Sequence, residues 1–112
     1  MKILAIIPAR IHSKGIPEKN LVKIGKYTLV ERAIFTAMNT SIIDDIIVST
    51  DSEKIRALVN KYGRYAPFIR PSELSTDTAG SLGVIKHSLV WAENNLKKEY
   101  DYIVLLEPPS PF

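Results

Sequence analysis

The sequence predicts an α/β fold built on a mainly parallel sheet. Two observations carry this prediction. Short β-branched runs alternate with stretches of helical periodicity, and polar, cation-bearing segments directly follow the runs. Parallel strands joined through helices need right-handed crossovers, which gather the carboxyl ends of the strands along one edge of the sheet.

The elements follow in order. Residues 3–7 are an unbroken apolar run of strand length, which reads as a buried strand. Over 28–39, Leu29, Ala33 and Ala37 recur at helical spacing with Val30, Ile34 and Met38 beside them, giving one apolar face. Thr28 and Glu31 have the spacing of a capping box at the start of that helix. Residues 46–49 form a second β-branched run. Asp51 or Ser52 then caps a helix carrying Ile55, Leu58, Val59 and Tyr62, which Gly63 ends. Two prolines and several hydroxyls make 67–77 a surface loop, preceded by a short strand near Tyr65. Thr78 or Ser81 opens a third helix, with Leu82, Ile85, Leu89, Ala92 and Leu96 on one face. Residues 102–106 are a third apolar run. Three prolines in 107–112 forbid regular structure there, so the segment reads as the start of a connection and the sheet as incomplete at its C-terminus.

Bulk properties narrow the function classes. The 46% hydrophobic content over 112 residues suits a packed core and argues against disorder. No apolar run approaches the ~18 residues of a spanning helix, and the N-terminal run is too short for a signal-peptide core. Without cysteine there is no disulfide, thiol nucleophile or thiolate metal site, and a cytoplasmic location follows. The net charge of +3 is mild and the cations are scattered. Nucleic-acid binding calls for a clustered basic face with stacking aromatics, so neither nucleic acid nor membrane is an expected partner.

The segment after the first strand carries the candidate chemistry. Arg10, Ser13, Lys14, Gly15, Lys19 and Asn20 fall within it. In an open α/β sheet this is where ligands bind, and three cations there suit a nucleotide triphosphate. The bland alternative is a solvated basic loop. No Walker A loop and no G-x-G-x-x-G occurs, so phosphate contacts would use side-chain cations and a few backbone amides. Further polar blocks stand at 49–51, 70–79 and 107–111. His12 and His87 have no partner pattern for a catalytic dyad. His87 reads as structural, and Trp91 and the tyrosines as packing.

These blocks, in this order, resemble the acylneuraminate cytidylyltransferases (CMP-N-acetylneuraminic acid synthetases) and their close relatives. The family pattern is approximately I-P-A-R-x-x-S-K-G-x-x-x-K-N, V-S-T-D, R-P-x-x-L-x-x-D-T-A and L-L-Q-P-T-S-P. It is met here at 7–20, 48–51, 70–79 and 105–111. The resemblance implies a Rossmann-like three-layer nucleotidyltransferase fold, similar to the nucleotide-diphospho-sugar transferases. Residues 1–112 would be the N-terminal nucleotide-binding part of a cytidylyltransferase domain. The implied reaction joins a sialic-type nonulosonic acid to CTP, giving a CMP-sugar and pyrophosphate with Mg²⁺ assisting. The implied setting is cell-surface polysaccharide synthesis, by a protein that is a homodimer when complete.

Residue roles carry over position by position. Arg10 and Lys19 resemble the catalytic cations that neutralise the triphosphate. Ser13, Lys14 and Gly15 would cradle phosphate, and Asn20 would read the nucleoside. Arg70 and Ser81 match positions near the cytosine, and Glu107 and Ser110 positions facing the sugar acid. Each has a structural competitor: a surface ion pair for Arg10, a solvated lysine for Lys19 and a helix cap for Ser81. Asp77 reads as a loop brace, and Asp51 as an N-cap in preference to a metal contact. The family's metal-binding aspartates are expected beyond residue 112, so no residue of this chain is assigned to metal, and the chain alone is expected to make no CMP-sugar. One departure bears on the acceptor. Glu107 stands where the family has Gln, and an ionised carboxylate only accepts hydrogen bonds. It would repel a nonulosonate carboxylate. Pseudaminic, legionaminic or 3-deoxy-manno-octulosonic acid are alternative acceptors, among which the segment at 10–20 does not discriminate, and a nucleotide-binding module without turnover is a further alternative.

Overall fold

A computed structural model of the chain describes residues 1–11, 18–75 and 80–108. Ser13, Lys14, Gly15, Asp77, Thr78 and Ser110 lie outside the described residues, as does His12. In chain order the elements are β1 (Ile3–Pro8), a 3₁₀ turn (Lys19–Leu21), β2 (Lys23–Ile24), β3 (Tyr27–Thr28), α1 (Leu29–Met38), β4 (Asp45–Ser49), α2 (Glu53–Val59), a second 3₁₀ turn (Ser72–Leu74), α3 (Ser81–Leu96) and β5 (Tyr102–Leu105).

Strands β4, β1 and β5 form one parallel sheet in that order, with Ile6 of β1 opposite Ile47 on one side and Leu105 on the other. A central parallel strand is covered on both faces, which is why 3–7 reads as a continuous apolar run rather than an alternating one. Alternation still decides which residue meets which helix. Ala5, Ile7 and Ala9 pack against Val30 and Ile34 of α1 and Ile55 and Val59 of α2. Leu4 and Ile6 point the other way, joining Ile47 and the α3 residues Ile85, Leu89 and Ala92. Helices thus cover both faces of the sheet, giving the expected three layers. No helix among the described residues is long and apolar enough to cross a membrane.

The capping box on α1 forms as its spacing predicts. The Glu31 N–H donates to the Thr28 hydroxyl at 3.2 Å, and the Glu31 carboxylate accepts from the Thr28 N–H at 3.0 Å. Several boundaries differ from expectation. At α2 the cap is Ser52, one of the two expected candidates, accepting from the Ile55 N–H at 3.2 Å. The same helix stops at Val59 with Asn60 as its cap, short of Tyr62 and Gly63. The Asn60 side chain explains the stop. Its Nδ2 donates to the Ala66 carbonyl at 3.0 Å and its Oδ1 accepts from the Ala66 N–H at 2.9 Å, so it turns the chain back.

On α3, Gly80 occupies the cap, and Ser81 is the first helical residue. The buried stripe is Val84, Ser88 and Ala92, flanked by Ile85 and Leu89. Leu82, expected on that face, sits roughly 200° around the helix from Val84 and is 79% exposed. The strand expected near Tyr65 reduces to a few pairings along the outer edge of β4. The Val48 N–H donates to the Tyr65 carbonyl at 2.8 Å, and Thr50 pairs with Ile69. The β2–β3 hairpin was not foreseen. Its signal is Gly25 at φ +71°, the first central position of a two-residue turn, where glycine is favoured. His87 packs edge-on against Phe68 with ring centroids 4.7 Å apart, consistent with a structural role.

Candidate functional site

β1 and β5 are parallel neighbours, so the residues that follow them emerge side by side. The Leu106 N–H donates to the Ile6 carbonyl at 2.9 Å, fixing the two strand ends together. Beside β1 on its other edge, the Ala9 N–H donates to the Ser49 carbonyl at 2.9 Å. A cavity of about 260 Å³ opens at this carboxyl edge. Arg10, Lys19 and Asn20 contribute from the segment after β1, Arg70 and Leu74 from the loop after α2, Gly80, Ser81 and Val84 from the start of α3, and Leu105, Glu107 and Pro108 from the end of β5. Six residues singled out by sequence therefore meet in one cavity: Arg10, Lys19, Asn20, Arg70, Ser81 and Glu107. Of the others, Ser13, Lys14, Gly15 and Ser110 lie outside the described residues.

Arg70 is the most confined of the cations, at 4% exposed. Its Nε donates to the Ser49 hydroxyl at 3.0 Å, its Nη2 to the Ser49 carbonyl at 2.6 Å and its Nη1 to the Leu74 carbonyl at 3.3 Å. Its own N–H donates to the Thr50 carbonyl at 2.7 Å. Burial pulls the guanidinium below its ordinary pKa; the Asp51 carboxylate opposes that pull and the Arg10 guanidinium adds to it. A guanidinium keeps its charge through such shifts. The Arg10 side chain donates from Nη1 to the Ser75 carbonyl at 3.2 Å.

Asn20 is 4% exposed, and its Nδ2 donates to the Arg10 carbonyl at 2.9 Å. Its Oδ1 is buried and has no hydrogen-bond partner among the described residues. A buried acceptor left unsatisfied is costly, so this oxygen is suited to a donor on a ligand. Lys19 is half-buried and opens the 3₁₀ turn that carries Asn20. Ser81 does not cap α3, so of its two readings the geometry leaves exposure at the cavity wall. Glycine at the cap brings no side-chain acceptor, and the first-turn N–H groups of a 16-residue helix open beside the cavity. Such a terminus favours anionic groups.

Asp51 does not take the cap position that its place in the chain suggests. Its Oδ1 accepts from the Ile11 N–H at 2.9 Å, tying the segment after β1 to the end of β4. Among the described residues no group of three or more His, Cys, Asp or Glu is placed to hold a metal ion. The carboxylate on the cavity wall is Glu107. Magnesium at phosphate-transfer sites is held by one or two carboxylates together with the substrate phosphates, so Glu107 is the described side chain that could contribute. Three cations against one carboxylate leave the cavity with positive potential suited to an anion. Leu74 is the leucine of the block at 70–79, and sequence reasoning gave it no role; its place on the cavity wall carries no periodic signal.

With this geometry, the likeness to known proteins can be placed. A family model described as Cytidylyltransferase matches residues 4–106. The chain belongs to the cytidylyltransferase family. It is 41% identical to an N-acylneuraminate cytidylyltransferase of Escherichia coli, covering 99% of this chain and 25% of that protein. It is 36% identical to a CMP-N,N'-diacetyllegionaminic acid synthase of Legionella pneumophila, covering 100% of this chain and 48% of that protein. A pseudaminic acid cytidylyltransferase of Campylobacter jejuni is 37% identical, over 99% of this chain and 47% of that protein. This cytidylyltransferase chain thus spans between a quarter and a half of the length of the curated relatives it matches. Its fold is shared with a solved CMP:2-keto-3-deoxy-manno-octonic acid synthetase at a TM-score of 0.72 and 22% identity, over 96% of this chain and 40% of that one. The three-layer expectation is thereby met from two directions, the packing of the core and the fold likeness.

Proposed function

We propose that this chain is the nucleotide-binding part of an enzyme that activates a sialic-type sugar acid with CTP. The observation that carries the reading is the meeting of Arg10, Lys19 and Arg70 in one cavity with the orphan acceptor of Asn20. In the reaction, the anomeric hydroxyl of the sugar acid attacks the α-phosphate of CTP. An oxygen–phosphorus bond forms, the bond to the β-phosphate oxygen breaks, and pyrophosphate leaves. Arg10 and Lys19 hold the triphosphate and offset the charge that develops on its oxygens. Arg70, Asn20 and Ser81 form the nucleoside end of the cavity, and the α3 amino terminus adds N–H donors. The family resemblance assigns Glu107 and Ser110 to the sugar acid and Ser13, Lys14 and Gly15 to the phosphates, the last four being outside the described residues.

Magnesium belongs to the proposal as the companion of the triphosphate, with protein ligands outside the residues described, and no step above depends on it. A homodimer in the cytoplasm, making CMP-sugar for cell-surface polysaccharide, completes the reading. The relatives named for legionaminic and pseudaminic acids support the same reaction on a different acceptor.

The test is a thermal-shift panel with CTP, UTP, ATP and GTP, each with Mg²⁺. A ligand at one hundred times its Kd adds roughly 2.7 kcal/mol of stability. We expect a rise in Tm with CTP and not with the others. Equal rises with all four would remove cytidine selectivity from these residues.

A further inference from the structure

Leu74 borders two cavities. One is the cavity described above; the other is an apolar groove of about 540 Å³ along α3, beside Val90 and Trp91. Between them Leu74 meets α3 at Gly83. A Cβ built on Gly83 would lie 2.8 Å from the Leu74 Cδ2, closer than real Cβ atoms approach, so the close seat exists because residue 83 has no side chain.

Leu74 belongs to a short strap, residues 71–75, that is closed on itself. The Leu74 N–H and the Ser75 hydroxyl both donate to the Pro71 carbonyl, at 3.0 and 3.2 Å, and the Ser75 N–H donates to the Ser72 carbonyl at 3.0 Å. The outward carbonyls of the strap hold the cavity's two arginines. The Leu74 carbonyl accepts from Arg70 Nη1 at 3.3 Å, and the next carbonyl, Ser75, accepts from Arg10 Nη1 at 3.2 Å. Both guanidiniums thus bond one small unit, Arg70 also holding Ser49 of β4 through two shorter bonds, and that unit is referenced to α3 through Leu74.

We infer that Leu74, seated against Gly83, is a positioning residue that sets where the Arg10 and Arg70 guanidiniums stand in the cavity. The consequence for ligand binding rests on the nucleotide reading above; the positioning itself does not. A methyl group at 83 pushes the Leu74 side chain off α3, and its other open side is the nucleotide cavity. We expect the strap carbonyls to shift with it and the arginines to follow.

The experiment compares the unchanged protein, Gly83→Ala and the double variant Gly83→Ala/Leu74→Val, which removes the Cδ2 atom that the new methyl meets. Two readouts are taken: the arginine Nε–H signals by NMR without ligand, and CTP titration by calorimetry. Alanine favours helix over glycine, so Gly83→Ala does not weaken α3 by itself. We expect Gly83→Ala to keep or raise Tm, to move the Arg70 Nε–H signal, and to weaken CTP binding about tenfold, the scale of one charged hydrogen bond. The double variant returns both readouts toward those of the unchanged protein. Arginine signals that stay in place in Gly83→Ala, or a double variant that recovers neither readout, would overturn the inference. If the unchanged protein takes up no CTP while the arginine signals still move and recover, the positioning role stands and the nucleotide reading falls.

Discussion

A hydrogen bond from the Ile11 N–H to Asp51 helps fasten the cation-bearing segment to the sheet. Asp51 stands one residue before the helix cap and carries the right chemistry for a cap, so its position along the chain suggests a role that Ser52 takes instead. What decides its role is that β1 and β4 are adjacent, which brings Ile11 within reach. Substitution separates acceptor from charge. Asp51→Ala is expected to weaken CTP binding by about 1–3 kcal/mol through loss of the tether. Asp51→Asn keeps an oxygen acceptor and removes a negative charge near Arg70, so it should bind CTP within a few-fold of the unchanged protein. If calorimetry finds Asn as damaging as Ala, the site needs the charge and the tether is incidental. Other residues were legible from type and place alone. Arg10, Lys19 and Asn20 reach the cavity because a segment after a parallel strand has nowhere else to go. Leu74 was visible as the leucine of the block at 70–79, but its partner Gly83 was not, because a leucine in a polar loop has no periodicity to mark what it packs against.

Helix α1 and the turn after α2 are joined by Glu31, which serves both at once. It closes the capping box with Thr28 and also accepts a hydrogen bond from the Tyr62 hydroxyl. Tyr62 stacks edge-on against Phe35 at 5.2 Å, and Phe35 against Tyr27 at 4.8 Å, so the contact runs on into the β2–β3 hairpin. Burial alone would raise the Glu31 carboxyl, but hydrogen bonds from Tyr62 and Thr28 outweigh it and hold the group below its ordinary value. The Glu31 bond, with burial, pushes the Tyr62 hydroxyl up to about 12. The signs follow by linkage. Tyr62 is protonated when folded over a range where the unfolded chain has begun to lose that proton. Its contribution is whole below tyrosine's ordinary value near ~10 and is lost as pH rises to about 12. Glu31 works the other way: its contribution is present above the ordinary carboxylate value and is lost as pH falls through its lowered one. Urea stability measured against pH should therefore fall at both ends. Tyr62→Phe should flatten the alkaline fall, leaving the part due to Tyr100, whose hydroxyl is also raised by burial and by its bond to Asp45. An unchanged alkaline slope in Tyr62→Phe would remove Tyr62 from the account. The capping box was readable because its two residues are three apart in sequence. The Tyr62 bond was not, since Glu31 and Tyr62 are 31 apart and meet only when α1 and α2 pack.

The molecule as a whole depends on one strand. β1 lies between β4 and β5 and under helices on both faces, so it touches every layer. Ile6 is fully buried beside Ile47 and Leu105. Ile6→Ala should cost about 2–5 kcal/mol, the range for a large core residue cut to alanine, with the urea midpoint falling and the slope retained. A cost under about 1 kcal/mol would mean that the α3 layer collapses easily onto the gap, and that the three layers are less tightly coupled than their packing implies. The sequence by itself determined the alternation of strands and helices, the parallel sheet that alternation requires, the capping box, and the family to which the chain belongs. These rest on short-range spacing and on ordered motifs, which survive without coordinates. The tertiary structure alone decided which polar groups complete one another: Ser49 under Arg70, Asp51 on Ile11, Asn60 around Ala66, and Leu74 against Gly83. The reason is physical. A hydrogen bond or a close apolar seat depends on distances between segments far apart in sequence, and packing sets those distances.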